Sequence, residues 1–175
     1  KRREPFSDCF GWDRGLPVDR FFIERFLADN ADSIRGRAME VRSPEYVRRF
    51  GAGRVSEIDV IDVDRKNPEA TRVADLCEAG SLPAGAYDCI VCTQTLHYLE
   101  DETTALLNLW NSLAPGGTLL LTAPCITRVD NEVPESDYWR YTPLGLELRL
   151  TSVLPANAGV STSGHGNASP STAVV

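Results

Sequence analysis

The chain has 175 residues, of which 42% are apolar, 25% charged and 8% aromatic, proportions of a single ordered domain rather than of a disordered chain. Eighteen basic against twenty-five acidic side chains leave a net charge of −7, which argues against nucleic acid as a partner, and no apolar run approaches the roughly 18 residues of a membrane helix. Lys1-Arg2-Arg3-Glu4-Pro5 leads into no apolar signal segment and the sole Met is Met39, so the chain reads as a processed, trimmed or excised piece of a cytoplasmic protein.

Residues 18–29 place Val18, Phe21, Phe22, Phe26 and Leu27 on a helical stripe. A short strand is predicted over 36–41. Ser43-Pro44-Glu45 then reads as a helix start, with Ser43 as N-cap, Pro44 in the first turn and Gly51 as the stop. Ile58 to Asp64 is strand-like and closes on an acid, and Thr71 to Leu76 is a second short strand candidate near an acid. Tyr87 to Thr93 is the clearest central strand, apolar on both faces. A helix over 102–113 stops at Ala114-Pro115-Gly116-Gly117, and Thr118 to Ala123 forms another buried strand. This alternation predicts an α/β fold, a parallel sheet with helices on both faces.

The five cysteines, Cys9, Cys77, Cys89, Cys92 and Cys125, form no disulfide framework. Cys89 and Cys92 match C-x-x-C, but on a strand their thiols point to opposite faces. No second Cys/His pair stands at ligand spacing, so no metal is expected.

Ligands of open α/β sheets sit beyond the carboxyl ends of the strands. Glu40, Asp64 and Asp75 close three successive strand candidates there. Each alone is an ordinary solvated acid; their recurrence at one sheet edge is what suggests a ribose or amine site.

Tyr87-Asp88-Cys89-Ile90-Val91-Cys92-Thr93-Gln94-Thr95-Leu96-His97 resembles the fourth-strand motif of class I S-adenosylmethionine-dependent methyltransferases, and Leu113-Ala114-Pro115-Gly116-Gly117-Thr118-Leu119-Leu120-Leu121 is similar to their fifth-strand motif. The resemblance is nearest to the small type 11 members and spans about residues 12–150. Asp137-Tyr138-Trp139-Arg140-Tyr141-Thr142-Pro143 is similar to a segment of members that accompany glycan and glycosyl-transfer enzymes. The resemblance implies a Rossmann-like sheet with a C-terminal antiparallel hairpin, S-adenosylmethionine as cofactor, and methyl transfer to a small-molecule or saccharide acceptor, within or beside a glycan-modifying enzyme.

By position, the family pattern puts Glu40 near the methionine moiety, Asp64 on the ribose, and Asp75 with Leu76 beside the adenine. Thr93 and Thr95 would lie near the methyl donor. The departure is at Glu40-Val41-Arg42-Ser43-Pro44-Glu45-Tyr46, where the family has a G-x-G turn and this chain has no glycine. Arg42 stands in the first glycine position. Either its guanidinium pairs with the cofactor carboxylate, or it fills the space and leaves a degenerate module that scaffolds a partner. A nicotinamide-dependent oxidoreductase ranks last, since no G-x-G-x-x-G follows the first strand.

His97, just past the fourth strand, is the general-base candidate for an O-directed transfer. Tyr138, Trp139 and Arg140 are the acceptor-binding candidates, set against simple packing of the aromatic rings and an Arg140–Asp137 pair. Residues 1–17 read as a lead-in or lid over the acceptor. Residues 151–175 contain no Lys, Arg, Asp or Glu, and eight of these 25 are Ser or Thr. Read alone they suggest a tail. The resemblance turns Leu144 to Leu154 into the last helix, and the segments after it, joined through Gly164-His165-Gly166-Asn167, into two terminal strands clipped near the end.

Overall fold

The computed structural model describes Ser7 and residues 10–165 and 171–175; Cys9, Gly166 and Asn167 lie outside the described residues. Its elements in chain order are α1 (Val18–Asp29), β1 (Gly36–Val41), α2 (Glu45–Gly51), β2 (Val55–Asp62), β3 (Arg72–Val73), β4 (Tyr87–Thr93), α3 (Glu102–Ser112), β5 (Leu113–Ala123), α4 (Pro143–Val153), β6 (Ser161–Gly164) and β7 (Ser171–Val174). The strands form one sheet in the order β3-β2-β1-β4-β5-β7-β6. Pairs from β3 through β5 are parallel, and β7 runs antiparallel to both β5 and β6. The uncharged end is therefore a sheet hairpin, with Leu120 opposite Val174 and Ala123 opposite Ser171.

Successive strand residues feed opposite faces of the sheet. Ala38, Cys89, Val91 and Leu120 join Ile23, Phe26 and Leu27 of α1 and Tyr46 and Val47 of α2. Met39, Ile90, Cys92, Leu119 and Leu121 join Leu106 and Leu109 of α3 and Leu146 and Leu150 of α4. Cys89 and Cys92 fall in different cores, which is why C-x-x-C makes no site here. The buried Asp59 is fully engaged by Arg37, Tyr87 and Thr71, as an interior carboxylate must be.

Three boundaries differ from the sequence reading. β2 ends at Asp62, so Asp64 lies two residues beyond it in the loop. β3 contains only Arg72 and Val73, leaving Asp75 and Leu76 after it. β5 begins at Leu113, because Leu113 already pairs with Tyr87 before Ala114-Pro115-Gly116-Gly117 bulges out of register. Gly117 permits that close approach: a Cβ there would stand 2.8 Å from the Tyr87 carbonyl oxygen.

The start of α2 also differs. Ser43 makes no cap; Pro44 is the N-cap residue and its side chain caps nothing. Glu40 does this work from the end of β1. Its carboxylate accepts from the Tyr46 amide at 3.1 Å and the Val47 amide at 2.8 Å, satisfying donors that a helix start leaves open.

Candidate functional site

The strand order reverses between β1 and β4, each the neighbour of the other but feeding crossovers in opposite directions. Ligands of such sheets bind at this switch point, outside the carboxyl ends of the strands. There the structure has a cavity of about 280 Å³. Arg42 contributes after β1, Gln94, His97 and Tyr98 after β4, and Pro124, Thr127, Arg128, Asp130, Glu132, Asp137 and Arg140 after β5. Phe10, Trp12 and Pro17 of the lead-in and Asp19 and Arg20 of α1 close the near side.

Arg42 has φ +73°, the left-handed backbone that glycine adopts freely and arginine does not. The turn is held from both ends. The Arg42 amide donates to Ile61 O at 2.8 Å, and its carbonyl accepts from Asn67 Nδ2 at 2.7 Å. Asn67 Nδ2 also reaches Asp62 Oδ2 at 2.7 Å. The Arg42 side chain is exposed at the cavity wall. Gln94, at φ +47°, makes the matching turn after β4 and donates its amide to Thr122 O at 2.9 Å.

His97 sits in the short helical turn Leu96–Tyr98 and is 5% exposed. Its Nδ1 has no hydrogen-bond partner among the described residues. Burial, only partly opposed by Asp137, holds the imidazole down at about 4, so the ring is neutral at pH 7. Its carbonyl accepts from the Tyr138 amide at 2.9 Å and the Trp139 amide at 3.2 Å. The neighbouring Tyr98 hydroxyl donates to Asp130 Oδ2 at 2.8 Å, and burial pushes its pKa up.

The remaining candidates divide by position. Glu40 is buried under α2, and burial pushes its carboxyl up to about 7 against the two amides. Asp64 is exposed and accepts from the Lys66 amide at 2.9 Å. Asp75 is exposed and accepts from the Cys77 amide at 2.8 Å, while Leu76 is buried in the core. Thr95 Oγ1 donates to Thr93 O at 3.0 Å, linking those two at the end of β4. None of these six lines the 280 Å³ cavity. Arg140 does, but its Nη2 reaches Asp137 Oδ2 at 2.7 Å and Arg128 O at 3.0 Å, and Nη1 reaches Trp139 O at 2.8 Å. Trp139 donates its indole N–H to Leu99 O at 3.0 Å, and neither it nor Tyr138 lines the cavity. Sequence reasoning missed Gln94, Tyr98 and Asp130, which the fold brings into the cavity wall.

A family described as "Methyltransferase domain" matches residues 42–121, from Arg42 through β4 into β5. No curated protein matches the sequence. Among solved structures, a DhpI complex with SAM and HEP superposes with a TM-score of 0.64 at 16% identity, covering 90% of this chain and 87% of that one. The fold is that of the class I methyltransferases. The N-methyltransferase NodS from Bradyrhizobium japonicum, bound to S-adenosylhomocysteine, has a TM-score of 0.63 at 19% identity, over 95% of this chain and 91% of its own. A SAM-dependent methyltransferase from Archaeoglobus fulgidus has a TM-score of 0.64 at 13% identity, over 89% and 76%. The class I methyltransferase fold thus extends over nearly the whole chain, including the terminal hairpin.

Proposed function

We propose that the chain is an S-adenosylmethionine-dependent methyltransferase that methylates a hydroxyl of a small molecule or saccharide. The supporting observation is the cavity at the β1/β4 switch point, with the neutral, buried His97 in its wall. The cofactor, when bound, supplies an electrophilic methyl group. On this reading Arg42 receives its carboxylate, since the Arg42 guanidinium stands in the cavity wall and makes no hydrogen bond or ion pair among the described residues. Asp62 and Asp64, at the end of β2 and just beyond it, would take the ribose, and Asp75 and Leu76 the adenine, along the sheet edge outside that cavity. Thr93 and Thr95, at the end of β4, would lie nearest the methyl group. His97 removes the acceptor proton through its neutral imidazole, whose Nδ1 has no partner among the described residues, although the burial that keeps it neutral also lowers its basicity. The degenerate-module alternative is not favoured, because the turn at Arg42 keeps the glycine-like backbone that such a cofactor loop needs.

Isothermal titration with S-adenosylhomocysteine tests the cofactor, and absence of heat at millimolar ligand overturns it. His97→Asn should lower kcat on a hydroxyl acceptor by about 10²–10⁴-fold while leaving S-adenosylhomocysteine affinity unchanged. An unchanged kcat removes His97 from the chemistry.

A further inference from the structure

A second, larger cavity of about 560 Å³ adjoins the first. Most of its wall is apolar, from Phe10, Leu16, Pro17 and Val18 of the lead-in and the start of α1, with the charged Arg14, Asp19 and Arg128 also lining it and Thr127 after β5 opposite. The two cavities share Phe10, Pro17, Asp19, Thr127 and Arg128, so they are two ends of one cleft. Leu16 and Val18, which line this outer cavity, are 53% and 70% exposed, and Phe10 beside them and Trp12 on the same segment are also exposed. Large apolar side chains left in water along one bank of a cleft mark a surface that is covered in use.

The inner cavity differs. With Arg42 taken by the cofactor carboxylate, three arginines (Arg20, Arg128, Arg140) face four acids (Asp19, Asp130, Glu132, Asp137) there, so the wall left to the acceptor holds no cationic excess to draw an anionic head. A volume of this size suits a small ligand.

We infer that the methyl acceptor has an uncharged hydroxylated head, seated beside His97, and an alkyl or aryl body lying in the outer cavity against Phe10, Leu16 and Val18. The inference rests on the methyl-transfer reading. It narrows the acceptor from small molecules and saccharides in general to hydroxylated heads with an apolar appendage. The driving force for the outer half is removal of apolar surface from water, which scales with the length of the appendage.

The test uses methyl, butyl and octyl β-glucoside below their micellar concentrations, titrated into protein saturated with S-adenosylhomocysteine. Affinity should rise tenfold or more from methyl to butyl and again to octyl. The double variant Leu16→Asp/Val18→Asp alters two exposed positions and should abolish that dependence on length, while S-adenosylhomocysteine affinity stays within twofold. Length-independent binding, or a length dependence that survives in the double variant, overturns the inference while the cofactor titration still upholds methyl transfer. Failure of S-adenosylhomocysteine to bind overturns the underlying reading instead. A wild-type dimer that the double variant dissociates in sedimentation would assign the apolar bank to a second copy of the chain, and overturns the inference too.

Discussion

Arg42 carries an opposition between stability and binding. A non-glycine residue in the left-handed region costs on the order of 1 kcal/mol or more, and Arg42 is held there at φ +73° by hydrogen bonds to Ile61 and Asn67. Arg42→Gly removes the strain, although it also frees the unfolded chain, so the net gain should be about 0.5–1 kcal/mol, read as a higher urea midpoint. If the guanidinium receives the cofactor carboxylate, the same substitution should weaken S-adenosylhomocysteine binding by tenfold or more, the scale of one charge-assisted hydrogen-bond pair. A stabilised variant that binds more tightly would make Arg42 an obstruction. Stability and affinity moving in opposite directions is the signature of a ligand.

Among the elements, the loop between β5 and α4 owes its shape to Asp137 and Arg140. The Asp137 side chain is 2% exposed and also accepts from the Asp130 amide at 2.8 Å, so one ion pair sets the position of Asp130 under Tyr98 and of the Tyr138 and Trp139 amides on His97. Lysine cannot reproduce a two-pronged guanidinium contact. Arg140→Lys should cost about 2 kcal/mol locally, seen as roughly thirtyfold faster amide exchange at Tyr138 and Trp139, with β4 and β5 protected as before. Exchange that is unchanged at those two amides would show that the loop is held by other contacts. The main strands and helices were legible in the sequence, because β4 and the second half of β5, from Thr118, are buried apolar runs and α1 and α3 have apolar stripes. The loop's partners were not. Asp130, Tyr98 and Gln94 are polar residues without period, and they converge only after the sheet forms. The start of α2 was misread for the same reason: its cap, Glu40, lies in the preceding strand, where no local capping pattern reaches. The sequence pattern carries β2 two residues too far, to Asp64, because alternating apolar and acidic residues continue past the point where pairing with β1 and β3 stops.

Across the whole molecule, two buried groups at the carboxyl edge of the sheet titrate with opposite effects on stability. His97 is held down at about 4, from an ordinary value of 6.5. As pH falls through 6.5 the unfolded chain takes up a proton that the native protein refuses, so stability is lost between about 6.5 and 4. Glu40 is pushed up to about 7, from an ordinary 4.5. Its native carboxyl takes up the proton first, so its contribution is fully present below about 4.5 and is lost as pH rises through 7. Each shift corresponds to a change on the order of 3 kcal/mol. Between about pH 4.5 and 6.5 the two slopes have opposite sign and nearly cancel. Replacing either group should expose the other. The stability difference between His97→Asn and wild type, from urea midpoints at pH 7.5, 5.5 and 4.5, should grow in favour of the variant as pH falls. The difference between Glu40→Gln and wild type should move the other way, on top of a constant offset for the altered cap of α2. Carboxylates common to both proteins drop out of each difference. If the Glu40→Gln difference stays flat, the two α2 amides outweigh burial and hold the carboxylate ionised throughout. Divergent slopes would make β1 and the β4 turn, the two elements that frame the cleft, a pair whose opposite effects on stability offset each other across the acid range.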